Sequence, residues 1–245
     1  MDGHGARLCP QPTAEGIAKP EIPRYTPPQT AQRKDEIMPQ DSVEKPQIYL
    51  VSPPELELSH FLPDLSACLD ATEIACVRLG LATRDEDRIA KAADAIREVT
   101  HARDVALVIE NHVQLVERLG LDGVHLTDGS RSVGKTRKTL GQDAIVGAFC
   151  GNSRHDGMTA GELGADYISF GPVAATALGT GEVAEKELFD WWSMMIEVPC
   201  VAEGPLTEAL IAEFTPVTDF FGLGEGIWDQ DNPAAALSRL VAAMG

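Results

Sequence analysis

The chain is poor in basic residues: 20 lysines and arginines stand against 38 aspartates and glutamates, a formal net charge of −18. A nucleic-acid partner needs clustered cations to neutralise phosphates, so that class is excluded. No apolar run approaches the roughly 18 residues that a membrane-spanning helix requires, and a membrane partner is not expected. The opening residues, MDGHGARLCP, lack the apolar stretch of a secretory leader. Cysteine is scarce too. Cys9, Cys68, Cys76, Cys150 and Cys200 are scattered, odd in number and free of CxxC or Cys/His metal spacing. This usage excludes a disulfide framework and fits reduced thiols in the cytoplasm. Also absent is a GxGxxG turn after the first strand-like run, the mark of a dinucleotide site.

Proline is unevenly spread. Half of the 16 prolines fall before residue 47, where no segment alternates or repeats at helical spacing. Such a stretch buries too little apolar surface to offset the entropy of ordering, and residues 1–46 are expected to be a disordered tail. From Gln47 the pattern changes. Strand-like runs occur at 48–51, 74–79, 105–109, 123–126, 144–149, 167–170, 200–202 and 220–223. Helical periodicity lies between them at 85–99, 113–119, 133–140, 186–196, 207–214 and 233–244. Asn232 followed by Pro233 is a strong helix start. Strands alternating with helices imply parallel pairing through crossovers. Eight runs are the number that closes a (β/α)8 TIM barrel, with the doubly wound open sheet as rival. Ligands of such barrels sit at the carboxyl ends of the strands.

Several segments in order resemble the thiamine-phosphate synthase family, which includes a thiazole tautomerase relative. They are CVRLG (Cys76–Gly80), LGLDGVHL (Leu119–Leu126), GADYISFGPVAAT (Gly164–Thr176), VPCVAEG (Val198–Gly204) and TDFFGLGEGIWDQDNPAAA (Thr218–Ala236). The resemblance runs from about Gln47 to the end. It implies a transferase of thiamine biosynthesis that joins an aminopyrimidine diphosphate to a thiazole phosphate, with magnesium, and releases pyrophosphate.

Residue by residue, the resemblance implies a partly altered site. Of the second strand's Gln, Arg and Lys, only Arg78 remains, with Cys76 and Gly80 in the other places. The third strand's Asn-Asp is Glu110 and Asn111. The fourth strand's Gly-Gln-x-Asp reads Thr127, Asp128, Gly129, Ser130. Beyond the sixth strand Thr176 is kept and Gly179 holds the lysine position. The seventh strand's Gly-Gly is Gly204-Pro205, preceded by Glu203. The eighth strand's Ser-Ala-Ile is Glu225-Gly226-Ile227. The substrate site implied is therefore Arg78, His125, Ser153, Arg154, Thr176, Glu203, Gly204, Gly224, Glu225 and Gly226, with His155 and Arg78 as catalytic groups. Glu110 and Asp128 remain as the available magnesium ligands.

The residues themselves leave alternatives. Arg78 binds an anion or pairs with an acid such as Glu110. His125 supports the site or simply packs. Ser153-Arg154-His155 offers donors and a proton-transferring imidazole, or Ser153 or Asp156 caps a short helix. Glu203 and Glu225 would both oppose a bound phosphate, which favours an uncharged or cationic ligand. The basic run at 129–141 is not a phosphate-binding loop and reads as a solvated helix face. Trp191, Trp192, Met194 and Met195 fit a core or a homodimer interface. Lost charges leave two further readings open: a tautomerase-like enzyme and a catalytically silent ligand-binding barrel.

Overall fold

Short buried strands and amphipathic helices alternate eight times. A computed structural model describes residues 45–176 and 182–245. The pairs are β1 (Gln47–Val51) and α1 (Leu58–Ala71), β2 (Cys76–Leu79) and α2 (Glu86–His101), β3 (Ala106–Glu110) and α3 (Val113–Leu119), and β4 (Gly123–Leu126) and α4 (Val133–Leu140). They continue with β5 (Ile145–Phe149) and α5 (Arg154–Glu162), β6 (Tyr167–Phe170) and α6 (Lys186–Met195), β7 (Cys200–Glu203) and α7 (Glu208–Phe214), and β8 (Phe220–Leu223) and α8 (Pro233–Ala242). All neighbours pair in parallel and β1 closes on β8, so the sheet is a closed barrel in sequence order. The open sheet is thereby excluded.

The helix boundaries follow from local chemistry. Asp85 caps α2 by accepting from the Asp87 and Arg88 N–H groups, Ser153 caps α5, Thr207 caps α7 and Asn232 caps α8. Helix α1 does not show in the sequence pattern. Pro63 lies inside it and masks a helical spacing of buried residues at Phe61, Leu65 and Cys68. Most of the tail, residues 1–44, lies outside the described residues, as does Gly179. Of its end, Pro46 is buried and Gln47 already donates its N–H to the Asp219 carbonyl.

Two cores result. The larger lies between strands and helices and includes Phe170, Phe189 and Trp192. The smaller fills the barrel lumen with Tyr49, Cys76, Val108, Tyr167 and Val201. At the amino-terminal face three aspartates recur. Asp122, Asp166 and Asp219 each precede an even-numbered strand, and each accepts the N–H of a residue in the strand before: Leu107, Val146 and Cys200. These bonds satisfy strand ends that would otherwise stay unpaired.

The basic run corrects an expectation. Arg137 is not on a solvated face: it is 7 % exposed, reaches the Gly164, Gly141 and Ala144 carbonyls and pairs with Asp166. The tryptophan pair divides. Trp192 is core, edge-on to Phe170, with its indole N–H on the Val198 carbonyl. Met194 and Met195 are exposed.

Candidate functional site

Alternation along the strands sends Arg78, Glu110, His125 and Glu203 into the barrel near its carboxyl mouth. The registers agree, since Arg78 lies opposite Val108, Glu110 opposite His125 and Glu203 opposite Gly222. Arg78 is the hub. Its Nη1 and Nη2 donate to the two carboxylate oxygens of Glu203 at 2.7 and 2.8 Å, a bidentate fork. Its Nε lies 3.3 Å from Glu110 Oε1, an ionic contact without hydrogen-bond geometry. Nη1 also donates to His125 Nε2 at 2.9 Å.

That last bond fixes a direction. A guanidinium only donates, so His125 Nε2 accepts and Nδ1 carries the proton. Nδ1 then donates to the Tyr167 hydroxyl at 2.9 Å, and Tyr167 in turn bonds the Tyr49 hydroxyl across the lumen. Burial, then the facing Arg78 charge, pushes the His125 pKa down to about 3, so this imidazole is neutral. Burial works to raise the Glu203 pKa, but the Arg78 charge and its two hydrogen bonds outweigh it and hold the carboxyl below its usual range. Glu110 behaves oppositely: burial and the nearby Glu203 raise it against the pull of Arg78. A buried pair of this kind is held firmly, because removing one partner strands the other charge at a cost of about 3–5 kcal/mol.

Glycines make room for both glutamates. A Cβ on Gly80 would stand 2.6 Å from the Glu110 carboxyl carbon, and one on Gly222 would stand 2.8 Å from Glu203 Cγ. Gly80, in the expected lysine position, therefore gives its space to an acid.

The other expected site residues are less tightly grouped. Ser153 uses its hydroxyl to accept the Asp156 N–H, so the capping reading holds. Arg154 lies over the Trp191 ring, 4.8 Å from its centroid, and His155 is exposed in the first turn of α5. Thr176 is half-buried at the edge of the described residues. Gly204 (φ 129°) and Gly226 (φ 79°) adopt backbone conformations that favour glycine, and Gly224 packs against the Val51 carbonyl. The two acids expected to oppose one phosphate part company. Glu203 turns inward to Arg78, whereas Glu225 is exposed. Tyr49 and Tyr167 were missed. Their signal was the strand alternation that places Tyr167 on the same face as Ser169.

The magnesium ligands do not assemble. Glu110 is turned to Arg78, Asp128 accepts the Ser132 hydroxyl, and Asn111 locks to Thr127 through its side-chain amide. No group of three or more His, Cys, Asp or Glu suited to a metal ion occurs among the described residues. The described residues do not fit the ion.

A closed parallel barrel with an ionisable cluster at its carboxyl mouth defines a TIM-barrel protein whose candidate site lies at that mouth. Residues 48–216 match the model of the thiamine monophosphate synthase family. The chain is 40% identical over 200 residues to thiamine-phosphate synthase of Rhodospirillum centenum, covering 78% of this chain and 94% of that protein. It is 36% identical to thiamine-phosphate synthase of Hyphomonas neptunium, covering 78% and 90%. In structure it is similar to thiamine phosphate pyrophosphorylase of Pyrococcus furiosus, with a TM-score of 0.71 at 16% identity over 81% of this chain and 95% of that one. The chain belongs to the thiamine monophosphate synthase family.

Proposed function

We propose that the barrel is a thiamine-phosphate-synthase-like transferase. It joins an aminopyrimidine diphosphate to a thiazole phosphate and releases pyrophosphate. The observation that carries this reading is the placement of Arg78: within a chain matched to this family over most of its length, β2 carries its guanidinium to the barrel mouth. There it is the charge that a leaving diphosphate would meet. Gly204 and Gly226, in backbone conformations that favour glycine, lie with Gly224 beyond the ends of the last two strands, where N–H groups would hold a smaller phosphate. Ser153, Arg154 and His155 open α5 beside β5, with His155 as the exposed imidazole for proton transfer.

The partners on this reading are small molecules in the cytoplasm. Support comes from Cys68, Cys76, Cys150 and Cys200, all free and buried. No described helix is long and apolar enough to cross a membrane. Purified protein supplied with both substrates, with and without magnesium, is expected to form thiamine phosphate and pyrophosphate. No thiamine phosphate under either condition ends the proposal. The silent-barrel reading gains from one observation, the capture of Arg78 by two glutamates. It is distinguished by substrates that raise the melting temperature without turnover.

A further inference from the structure

A guanidinium fork holds carboxylate and phosphate by the same pair of parallel N–H bonds. At the barrel mouth that fork is already filled by Glu203, at 2.7 and 2.8 Å. The arrangement is built in: Gly222, in β8, leaves space under the Glu203 side chain, and Gly80, just beyond β2, leaves space under Glu110. Arg78 supplies one positive charge to the cluster, against two carboxylates within contact. His125 adds none, because its Nε2 lone pair is committed to Arg78. An incoming anion therefore meets no net attraction here, and its rival for the fork is tethered to the same barrel at high effective concentration.

We propose that Glu203 is a specificity-determining residue, an internal ligand of Arg78 that makes the Arg78 fork refuse free phosphate and diphosphate anions. A diphosphate group engages Arg78 only by displacing the Glu203 carboxylate. The inference rests on the reading above, in which Arg78 faces the diphosphate. It adds a consequence to it: when Glu203 closes the fork again, released pyrophosphate is expelled, and the free anion is a poor ligand.

Calorimetry of the full chain with inorganic pyrophosphate, without metal and at matched ionic strength, tests this. Glu203→Gln is expected to bind pyrophosphate at least tenfold more tightly than the unaltered protein. The gain should vanish in the double variant Arg78→Gln/Glu203→Gln. Glu203→Ala leaves an open space, so acetate should refill the fork and weaken pyrophosphate binding competitively. That arm carries the test if Glu203→Gln fails to melt cooperatively. Equal affinity in the unaltered protein and a folded Glu203→Gln variant overturns the proposal. So does a gain that persists without Arg78, or acetate without effect on Glu203→Ala. Turnover of the unaltered protein is a separate readout. A gain in anion binding without any turnover overturns only the enzymatic reading, whereas turnover without the gain overturns only the role of Glu203.

Discussion

Glu110 lies over Gly80, so closely that a methyl group there would stand 2.6 Å from its carboxyl carbon. The obstruction is the far end of a flexible side chain, which can swing away, but only by leaving Arg78. Gly80→Ala is therefore expected to cost about 1 kcal/mol, the worth of a partly exposed ion contact. In a Glu110→Ala background the same substitution should cost almost nothing. A double-mutant cycle by denaturant unfolding reads the coupling. Additive effects would show that Glu110 does not occupy that space.

Gly147 presents the harder case. A Cβ on it would fall 2.0 Å from Cζ of Tyr167, an aromatic ring buried in the lumen and bonded to His125 and Tyr49. No flexible end can retreat there. Gly147→Ala should destabilise the barrel by about 3 kcal/mol, the upper part of the range for overpacking. Gly147→Ala combined with Tyr167→Ala should recover part of that loss in thermal melts. A single substitution within about 0.5 kcal/mol of the unaltered protein, the scale of a neutral surface change, would refute the packing.

Periodicity carried most of the fold. The eight strand runs and the caps at Asn232 and Ser153 depend on neighbours in sequence, and they were legible for that reason. The failures share a cause. Arg78 finds its partner Glu203 at a separation of 125 residues, a pairing set by barrel closure that no local pattern encodes. Arg137 looked solvated because its run is basic, yet Asp166, 29 residues on, draws it inward. Glu203 and Glu225 looked alike because each stands before a glycine, Gly204 or Gly226, at the close of one of the last two strands. Only the first ends a strand and so inherits the inward direction. In α1 a proline concealed a helix whose stability comes from tertiary packing.

The aspartates at the amino-terminal face should rank by what they hold. Asp166 accepts from the Val146 N–H and pairs with the buried Arg137, while the Asp219 carboxylate accepts the Cys200 N–H. Asp219→Ala is expected to cost about 1–2 kcal/mol for an orphaned N–H. Asp166→Ala should cost about 1 kcal/mol more, because it also removes the half-exposed carboxylate paired with Arg137, which keeps its three carbonyl partners. Equal losses in urea unfolding would contradict this order.

The tail is expected to be dispensable for the fold. A chain beginning at Asp41 keeps Pro46, which is buried, and Lys45, which donates to the Gly245 carbonyl. It should melt cooperatively at the temperature of the full chain, measured by circular dichroism. Recovery of the shortened protein only in unfolded form would show that the proline-rich segment contributes to the core.

His125 gives the pH dependence a definite sign. Its folded pKa, about 3, lies below the ordinary histidine value because burial and Arg78 disfavour the imidazolium. Between that value and the unfolded pKa near 6.5, the unfolded chain binds more protons than the folded one. Stability from this group is therefore fully present above about pH 6.5 and is lost as the pH falls toward 3. From pH 7 to pH 5 the loss amounts to about 2 kcal/mol. Glu203, also depressed, adds a loss of the same sign at lower pH, and Glu110, raised, opposes it. These two carboxyls remain in His125→Gln, so the difference between that variant and the unaltered protein isolates the imidazole. Urea unfolding at both pH values should show the variant less stable at pH 7 but flatter by about 2 kcal/mol over the interval. An unchanged slope would mean that the imidazole takes up its proton in the folded barrel, and the directed chain from Arg78 through His125 to Tyr167 would be wrong.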